Sequence, residues 1–432
     1  MSAMFFFGNR EGTETFMPPD RLKTAFYKAI ESFPMLVGHV VPSSSSSPRE
    51  LEVAVDRDNL NMPDYRETVC EHIHYSDITA AHFHRCVWPQ GLMAARCIAL
   101  PDPSTGHIRL VHAHMVRLKK NSGLIIYLSI SHCLLDGFGY RLFIDVWAAE
   151  ARALAANKPA AIPVLCFDRS SWIAWVAPTT RAHLLGLVVR ILGVRGHLFR
   201  IRREKLSQLV HQISAYTPSG MRVTDNDVLT ALACKTVAQA TKEAYRHTPR
   251  LVTRFIDWVL ERAPTQMVGT AVDIRRCLGI ADANYTGNAM FVPLFENSLD
   301  QAQSPTTAES LAEIVVKVRT AIERVDCALV SGFYQMLKAG RSRLTCPMAG
   351  TTKFSIALNV TNQTRMQAYD ISFGSGTPDF VTVDPEFAPG VMCIMAAPPS
   401  SADLLVNITS EAAVSDQICQ NEFWMDMAEL IY

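Results

Sequence analysis

One histidine in this chain stands in a setting suited to acid–base work. Ser131-His132-Cys133-Leu134-Leu135-Asp136-Gly137-Phe138-Gly139 is an H-x-x-x-D-G segment, and of the 13 histidines only His132 has an aspartate four residues on. Imidazole is the side chain best able to take a hydroxyl proton near neutral pH, because its pKa lies close to ambient. An alcohol is far too weak an acid to ionise onto it, so proton removal must run together with attack of the oxygen on an activated carbonyl. The same histidine can then return the proton to the leaving group. Cys133 points to the opposite face if strand alternation continues through it, which argues against a covalent intermediate on sulfur.

Asp136 has two readings, a partner that polarises His132 or a structural carboxylate that caps a helix or pairs with a buried arginine. Helix starts favour aspartate for capping alone, so the structural reading leads. Gly137 and Gly139 fit a tight turn with close backbone approach. The plain alternative for His132 is a core histidine with a satisfied hydrogen bond.

Other chemistries find less support. Three H-x-H pairs (His72/His74, His82/His84, His112/His114) lack any accompanying C-x-x-C or H-E-x-x-H, so no metal site is expected. The 11 cysteines are scattered singly, an odd number that argues for reduced, mostly buried thiols rather than a disulfide framework. There is no G-x-G-x-x-G and no Walker-type loop, and so no sign of nucleotide redox chemistry or phosphoryl transfer. The sequons at Asn284, Asn359, Asn362 and Asn407 are read as chance.

His132 needs a rigid mount, and the neighbouring pattern supplies one. The stretches His107 to Arg117 and Gly123 to Ser131 are rich in β-branched and apolar residues and flank a Lys119-Lys120-Asn121-Ser122-Gly123 turn signal, so two paired central strands are predicted. After Gly139 the spacing becomes helical, with Leu142, Val146, Ala149 and Ala153 on one face. His132 therefore lies between a buried strand and a helix. Upstream, Pro19 to Ser32 has helical spacing that Phe33-Pro34 stops, and a strand is predicted over Leu36 to Val41. The serine run Ser43 to Ser47 reads as a flexible hairpin tip. Ala182 to Phe199 is apolar, but Arg190 and Arg195 interrupt it, so an interdomain crossover packed on protein is preferred to a membrane span. Thr224 is the expected N-cap of a helix that opens the second half.

A chain of 432 residues implies two domains. With 41 basic against 41 acidic residues there is no field to attract nucleic acid or an anionic membrane. The N-terminus, Met1 to Gly8, has no basic leader ahead of Asn9-Arg10-Glu11, and a cytoplasmic location is expected.

Four stretches, in order, resemble the BAHD acyltransferases. Leu22-Lys23-Thr24-Ala25 through Phe33-Pro34-Met35-Leu36-Val37-Gly38-His39 is similar to the family's opening helix and P-L-A-G-R turn, with His39 in place of arginine. The H-x-x-x-D-G at His132 is the second. Val272-Asp273-Ile274-Arg275 with Tyr285-Thr286-Gly287-Asn288 matches V-D-x-R and Y-F-G-N, with Thr286 in place of phenylalanine. Tyr369-Asp370-Ile371-Ser372-Phe373-Gly374-Ser375-Gly376 takes the place of D-F-G-W-G, with serines at 372 and 375 where the family has aspartate and tryptophan. Asp370 is a candidate to supply the missing carboxylate. Such loose motifs resemble the fungal branch, including relatives of the trichothecene O-acetyltransferases.

The resemblance implies an α/β fold of two chloramphenicol-acetyltransferase-like domains, each a mixed sheet flanked by helices, with a channel between them. It divides the chain into 1–185, a crossover over 186–205, and 206–432, with part of 375–400 returning to the first domain's sheet. It implies a monomeric acyl-CoA-dependent O-acyltransferase of specialised metabolism. His132 would be the general base, Asp136 its structural support paired with Arg275, and Gly137 the turn beside it. Thr361 and Asn362, and more weakly Asn288, are candidates to hold the thioester or pantetheine. Acyl-CoA, with acetyl or another short acyl group, is implied as co-substrate, with no permanently bound cofactor. The acceptor would be a small alcohol, with an amine compatible. The alternatives are a condensation-domain-like enzyme, against which Ser131 replaces the first histidine of H-H-x-x-x-D-G, an alcohol acetyltransferase-like enzyme, and a non-catalytic acyl-CoA-binding protein of the same fold.

Overall fold

The computed structural model describes residues 1–42, 51–93, 95–97, 108–167, 193–247, 265–338, 358–386 and 389–432. The serine run, His107 and the apolar stretch before residue 193 lie outside these.

The pair of strands ahead of His132 forms because both segments are apolar throughout, which suits strands covered on both faces. Val111–Leu118 and Gly123–Ile130 pair antiparallel, with His112 opposite Ser129 and Val111 opposite Ile130. In chain order the strands on this side are β1 (Ser2–Gly8), the hairpin β2 (His39–Pro42) and β3 (Leu51–Ala54), β4 (Asp64–Cys70), β5 (Val111–Leu118) and β6 (Gly123–Ile130). The first sheet runs β13-β1-β6-β5-β4, where β13 is Phe380–Val383, brought back from late in the chain to pair antiparallel with β1. Helices α1 (Pro19–Glu31) and α3 (Gly137–Ala156) pack on its outer face, while α2 (Tyr75–Ala80) covers one end. Helix α1 buries Leu22, Phe26 and Ala29, and the Trp147 indole of α3 donates to Leu22 O at 3.0 Å. Where a strand was expected over Leu36 to Val41, Pro34–Val37 is a 3-10 turn and β2 starts only at His39, because Pro34 suits the first position of a helical turn.

The second sheet has seven strands, ordered β11-β8-β12-β14-β15-β7-β16. These are β7 (Val194–Ile201), β8 (Thr265–Thr270), β11 (Leu294–Ser298), β12 (Leu358–Asn362), β14 (Val391–Ala396), β15 (Leu404–Glu411) and β16 (Ala428–Leu430). A short ribbon, β9 (Val272–Asp273) with β10 (Met290–Phe291), projects beside it. The later half of the expected 186–205 crossover is thus strand β7, followed by a helix over Arg203–Ser214. Strand β7 lies between β15 and β16, and its short apolar pieces, Val194, Leu198-Phe199 and Ile201, are broken by Arg195, His197 and Arg200, so no regular strand alternation marks it in the sequence. The helices Asp225–Ala244 and Ala308–Glu323 bury Leu232, Val237, Leu311 and Val315 against this sheet. At Thr224 the N-cap forms a reciprocal box with Asp227, whose carboxylate also accepts from Arg319.

A third apolar cluster joins the two sheets, drawing Met4, Phe6 and Tyr127 from one and Leu198, Met395 and Leu405 from the other. No helix among the described residues is long and apolar enough to cross a membrane.

Candidate active site

His132 lies two residues past Ile130, the last residue of β6, and α3 begins five residues later at Gly137. The strand fixes one end of the loop and the helix the other. Asp136 is the N-cap of α3, its Oδ1 accepting from Gly139 N at 3.0 Å. The same oxygen accepts from Arg275 Nη2 at 2.8 Å, and Oδ2 accepts from Ala289 N at 2.9 Å. Aspartate and guanidinium are 1% and 5% exposed, so this is a buried ion pair with further hydrogen bonds around both charges. The two structural readings of Asp136 hold together: it caps the helix and pairs with the arginine.

The loop between β9 and β10 supplies the rest of the clamp. Arg275 Nη2 also donates to Tyr285 O and Gly287 O, both at 3.2 Å, and Nη1 reaches Asp273 at 3.3 Å. Its guanidinium carbon lies 4.5 Å from the centroid of the Phe138 ring. Asn288 Nδ2 donates to the backbone carbonyl of His132 at 2.9 Å. This spends the donor of a residue considered for the thioester on the base itself. The approach is so close that a β-carbon at Gly139 would stand 2.2 Å from Thr286 O, which explains the glycine on steric grounds.

Burial is the main influence on the His132 imidazole and pushes its pKa down to about 4. The ring is therefore neutral across the physiological range, the state a proton acceptor needs. Ser131 Oγ and Cys133 Sγ lie 3.0 Å apart, which places the cysteine against its neighbouring serine.

Thr361 and Asn362 lie at the end of β12, whose chain then passes the start of α3: Arg141 of that helix donates to Met366 O and Gln367 O. Asn362 Nδ2 donates to Asn226 Oδ1 at 3.2 Å, and Asn362 lines a cavity of about 430 Å³ together with Arg203, Asp225, Asn226, Thr364 and Asp403. Thr361 is half-buried in the strand.

The fourth motif stands apart from the base. Phe373 is buried and packs edge-on against Trp147, centroids 5.0 Å apart, while Tyr369 and Ile371 join the same core. Gly374 and Gly376 have φ of +93° and +97°, which only glycine adopts without strain. Arg152 donates to Ser372 O, and Ser372 Oγ accepts from Gly374 N at 3.3 Å. Asp370 is exposed and forms no ion pair among the described residues, so it does not stand in for the absent carboxylate.

Four of the six paired histidines make other bonds. His74 and His84 accept from Ser76 N and Cys86 N and cap short helical turns, while His114 bonds Thr68 Oγ1 at 2.8 Å and His112 bonds Asp64 at 2.9 Å. Sequence reading gave no role to Ala289, Arg141 or Arg152, and named Asp273 only as part of V-D-x-R. Ala289 acts through a backbone N–H that carries no sequence signal, and the spacing of α3 assigns its arginines no partner.

Comparison with known proteins places this geometry. A model of the Transferase family matches residues 100–411. TRI101 of F. graminearum, solved with ethyl coenzyme A, superposes with a TM-score of 0.72 at 14% identity, covering 100% of this chain and 95% of that one. Vinorine synthase superposes at 0.61 with 12% identity, covering 99% and 90%. The first condensation domain of the calcium-dependent antibiotic synthetase gives 0.53 with 15% identity, covering 100% and 92%. No curated protein matches by sequence. At such identities the structural likenesses establish the two-body α/β fold.

Proposed function

The chain belongs to the Transferase family, that of the BAHD acyltransferases, and we propose that it moves an acyl group from acyl-CoA to a hydroxyl of a small specialised metabolite, with His132 as general base. The observation that carries this reading is a neutral imidazole set at a strand end, beside a buried carboxylate that Arg275, Gly139 and Ala289 hold as structural support. TRI101 has been solved with coenzyme A and T-2 mycotoxin together, which supports a CoA donor and an alcohol acceptor in this fold.

In the reaction so read, the acceptor oxygen forms a bond to the thioester carbon as its proton passes to His132. The tetrahedral oxyanion then collapses, the carbon–sulfur bond breaks, and the CoA thiolate takes the proton from the imidazolium. An imidazolium whose pKa is held near 4 is a strong donor for that return. The products are an ester and free CoA. The cavity beside Asn362 supports that residue as a contact of the thioester or pantetheine of the donor, while Thr361, next to it at the end of β12, does not line the cavity. The same reading has a monomer working in the cytosol, of fungal origin, with no permanently bound cofactor.

The experiment is thiol release from a panel of short acyl-CoAs, with hydroxylated metabolites as acceptors and product mass read in parallel. Acceptor-dependent release with a matching mass gain supports the reading and names the donor. Binding of CoA without release from any donor would overturn it, in favour of a binding protein or an enzyme fed by a carrier-protein thioester.

A further inference from the structure

The loop that braces Asp136 also carries a thiol for which acyl transfer has no use. Just after Arg275 the chain makes a tight turn, with Leu278 N donating to Ile274 O and Ile280 N to Arg275 O, both at 3.0 Å. Cys277 lies in this turn and packs, partly buried, on an apolar cluster of Ile274, Tyr285, Ala289 and Val330. Val330 comes from the helix Cys327–Lys338, and Val325, just before that helix, packs on the same cluster. Phe333 of the helix meets Phe291 of β10 edge-on, with ring centroids 5.3 Å apart. Apolar packing thus docks the helix on the loop.

Cys327 opens that helix. Asp326 holds the first turn, its carboxylate accepting from Leu329 N at 2.7 Å and its carbonyl from Val330 N at 3.1 Å. Cys327 is exposed, and it stands in the chain between Val325 and Val330, which both meet the cluster that Cys277 packs on. The packing brings the two thiols into contact, and both are free. A disulfide needs β-carbons within about 4.5 Å of each other, so thiols already in contact can be joined with little backbone movement. By contrast Cys70, Cys97, Cys234 and Cys393 are buried, where a thiol is inert.

We propose that Cys277 and Cys327 form a redox-active dithiol, a site that takes a low-molecular-weight disulfide such as oxidised glutathione and closes to a bond tying the Arg275 loop to the helix Cys327–Lys338. The exposed Cys327 thiolate attacks one sulfur of the small disulfide; the new S–S bond forms as the old one breaks, and one small thiolate leaves. The Cys277 thiolate then attacks the Cys327 sulfur and displaces the second. Two electrons pass from the protein thiols to the small disulfide, and their two protons end on the two small thiols released. Burial, then the adjoining Cys327 thiol, raises the pKa of Cys277, which puts it second in the order. The bond would close a long loop of chain beside the turn that holds Arg275, and so brace the clamp from outside.

The test incubates the full, folded chain with excess oxidised glutathione, blocks the remaining thiols and maps the peptides by mass. The expected product is a Cys277–Cys327 disulfide, formed ahead of any other pair and reversed by dithiothreitol. In Cys277→Ser the reaction should stop with one glutathione held on Cys327, and in Cys327→Ser the Cys277 thiol should stay largely free. The oxidised wild type should melt about 3 °C or more above the reduced form, because closing a long loop constrains the unfolded chain. Cys277→Ser should show no such gain. Both thiols left free, a glutathione that stays on Cys327 in the wild type, or a disulfide that leaves the melting temperature unchanged would overturn the proposal. So would the same mixture of disulfides from the folded chain as from the chain unfolded in urea.

Discussion

At its first turn α3 is held by charge and hydrogen bonds, whereas its flank is held by apolar packing against residues 369–376. The two braces have drifted from the BAHD pattern to different extents. Around His132 the aspartate, the arginine and the glycines are all present. In the fourth motif both the aspartate and the tryptophan have become serine. Physics accounts for the contrast. A buried carboxylate can be satisfied only by a guanidinium and N–H donors at the right distances, so no single member can change alone. The flank relies on backbone carbonyls that accept from Arg141 and Arg152, on two glycines at positive φ and on the buried rings of Tyr369 and Phe373, to which the serines at 372 and 375 add one hydroxyl acceptor each, for Gly374 N at 3.3 Å and Met17 N at 3.4 Å.

That contrast can be broken or sharpened by substitution. Asp136→Ala and Arg275→Ala should each cost about 3–5 kcal/mol in chemical denaturation, since each leaves its partner charged and buried. The double variant should cost clearly less than the sum, and additive losses would show that the pair is not the unit of the clamp. Phe373→Ala should cost a similar or slightly smaller amount, about 3–4 kcal/mol, as a buried aromatic removed from a packed core. Unlike the clamp variants, its folded fraction should keep the wild-type kcat.

The pH profile separates the regions in another way. Because burial lowers the His132 pKa from 6.5 to about 4, the acid limb of kcat/KM should lie near pH 4 to 5. The sign for stability is the same: below pH 6.5 the unfolded chain binds a proton at this residue that the folded one refuses, so its contribution is lost as pH falls from 6.5 to about 4. His112, His114 and His197, lowered in the same direction by burial, add to that loss without touching the acid limb. Gly139→Ala should cost about 1–3 kcal/mol, because the loop carbonyl of Thr286 must give way. Smallest of all, Ser372→Asp should change stability by no more than about 0.5 kcal/mol. A large gain there would mean that the eroded motif is a true defect of the flank.

Much of the clamp was legible in the residues, since the strand and helix around His132 follow from apolar spacing and Asp136 from its place at a helix start. The pairing with Arg275 was implied by likeness, and the two groups stand 2.8 Å apart. What could not be read depends on direction and on backbone. Asp370 sits two residues from the family's carboxylate position, but the 3-10 turn Ala368–Asp370 leaves it facing solvent. Asn288 looked like a substrate contact because a side-chain amide gives no hint that its partner is a carbonyl 156 residues away. Strand β7 was hard to read because Arg195, His197 and Arg200 fall irregularly among its apolar residues and leave neither strict alternation nor a long apolar run.

Acyl transfer and thermal melting of His132→Ala, measured beside the wild type, show whether chemistry rests on His132 and support on its clamp. A fall of about 10²- to 10⁴-fold in transfer rate is expected, with stability within about 1 kcal/mol of wild type. Undiminished transfer, or a loss of fold as deep as that of Asp136→Ala, would show that the two are not divided in this way.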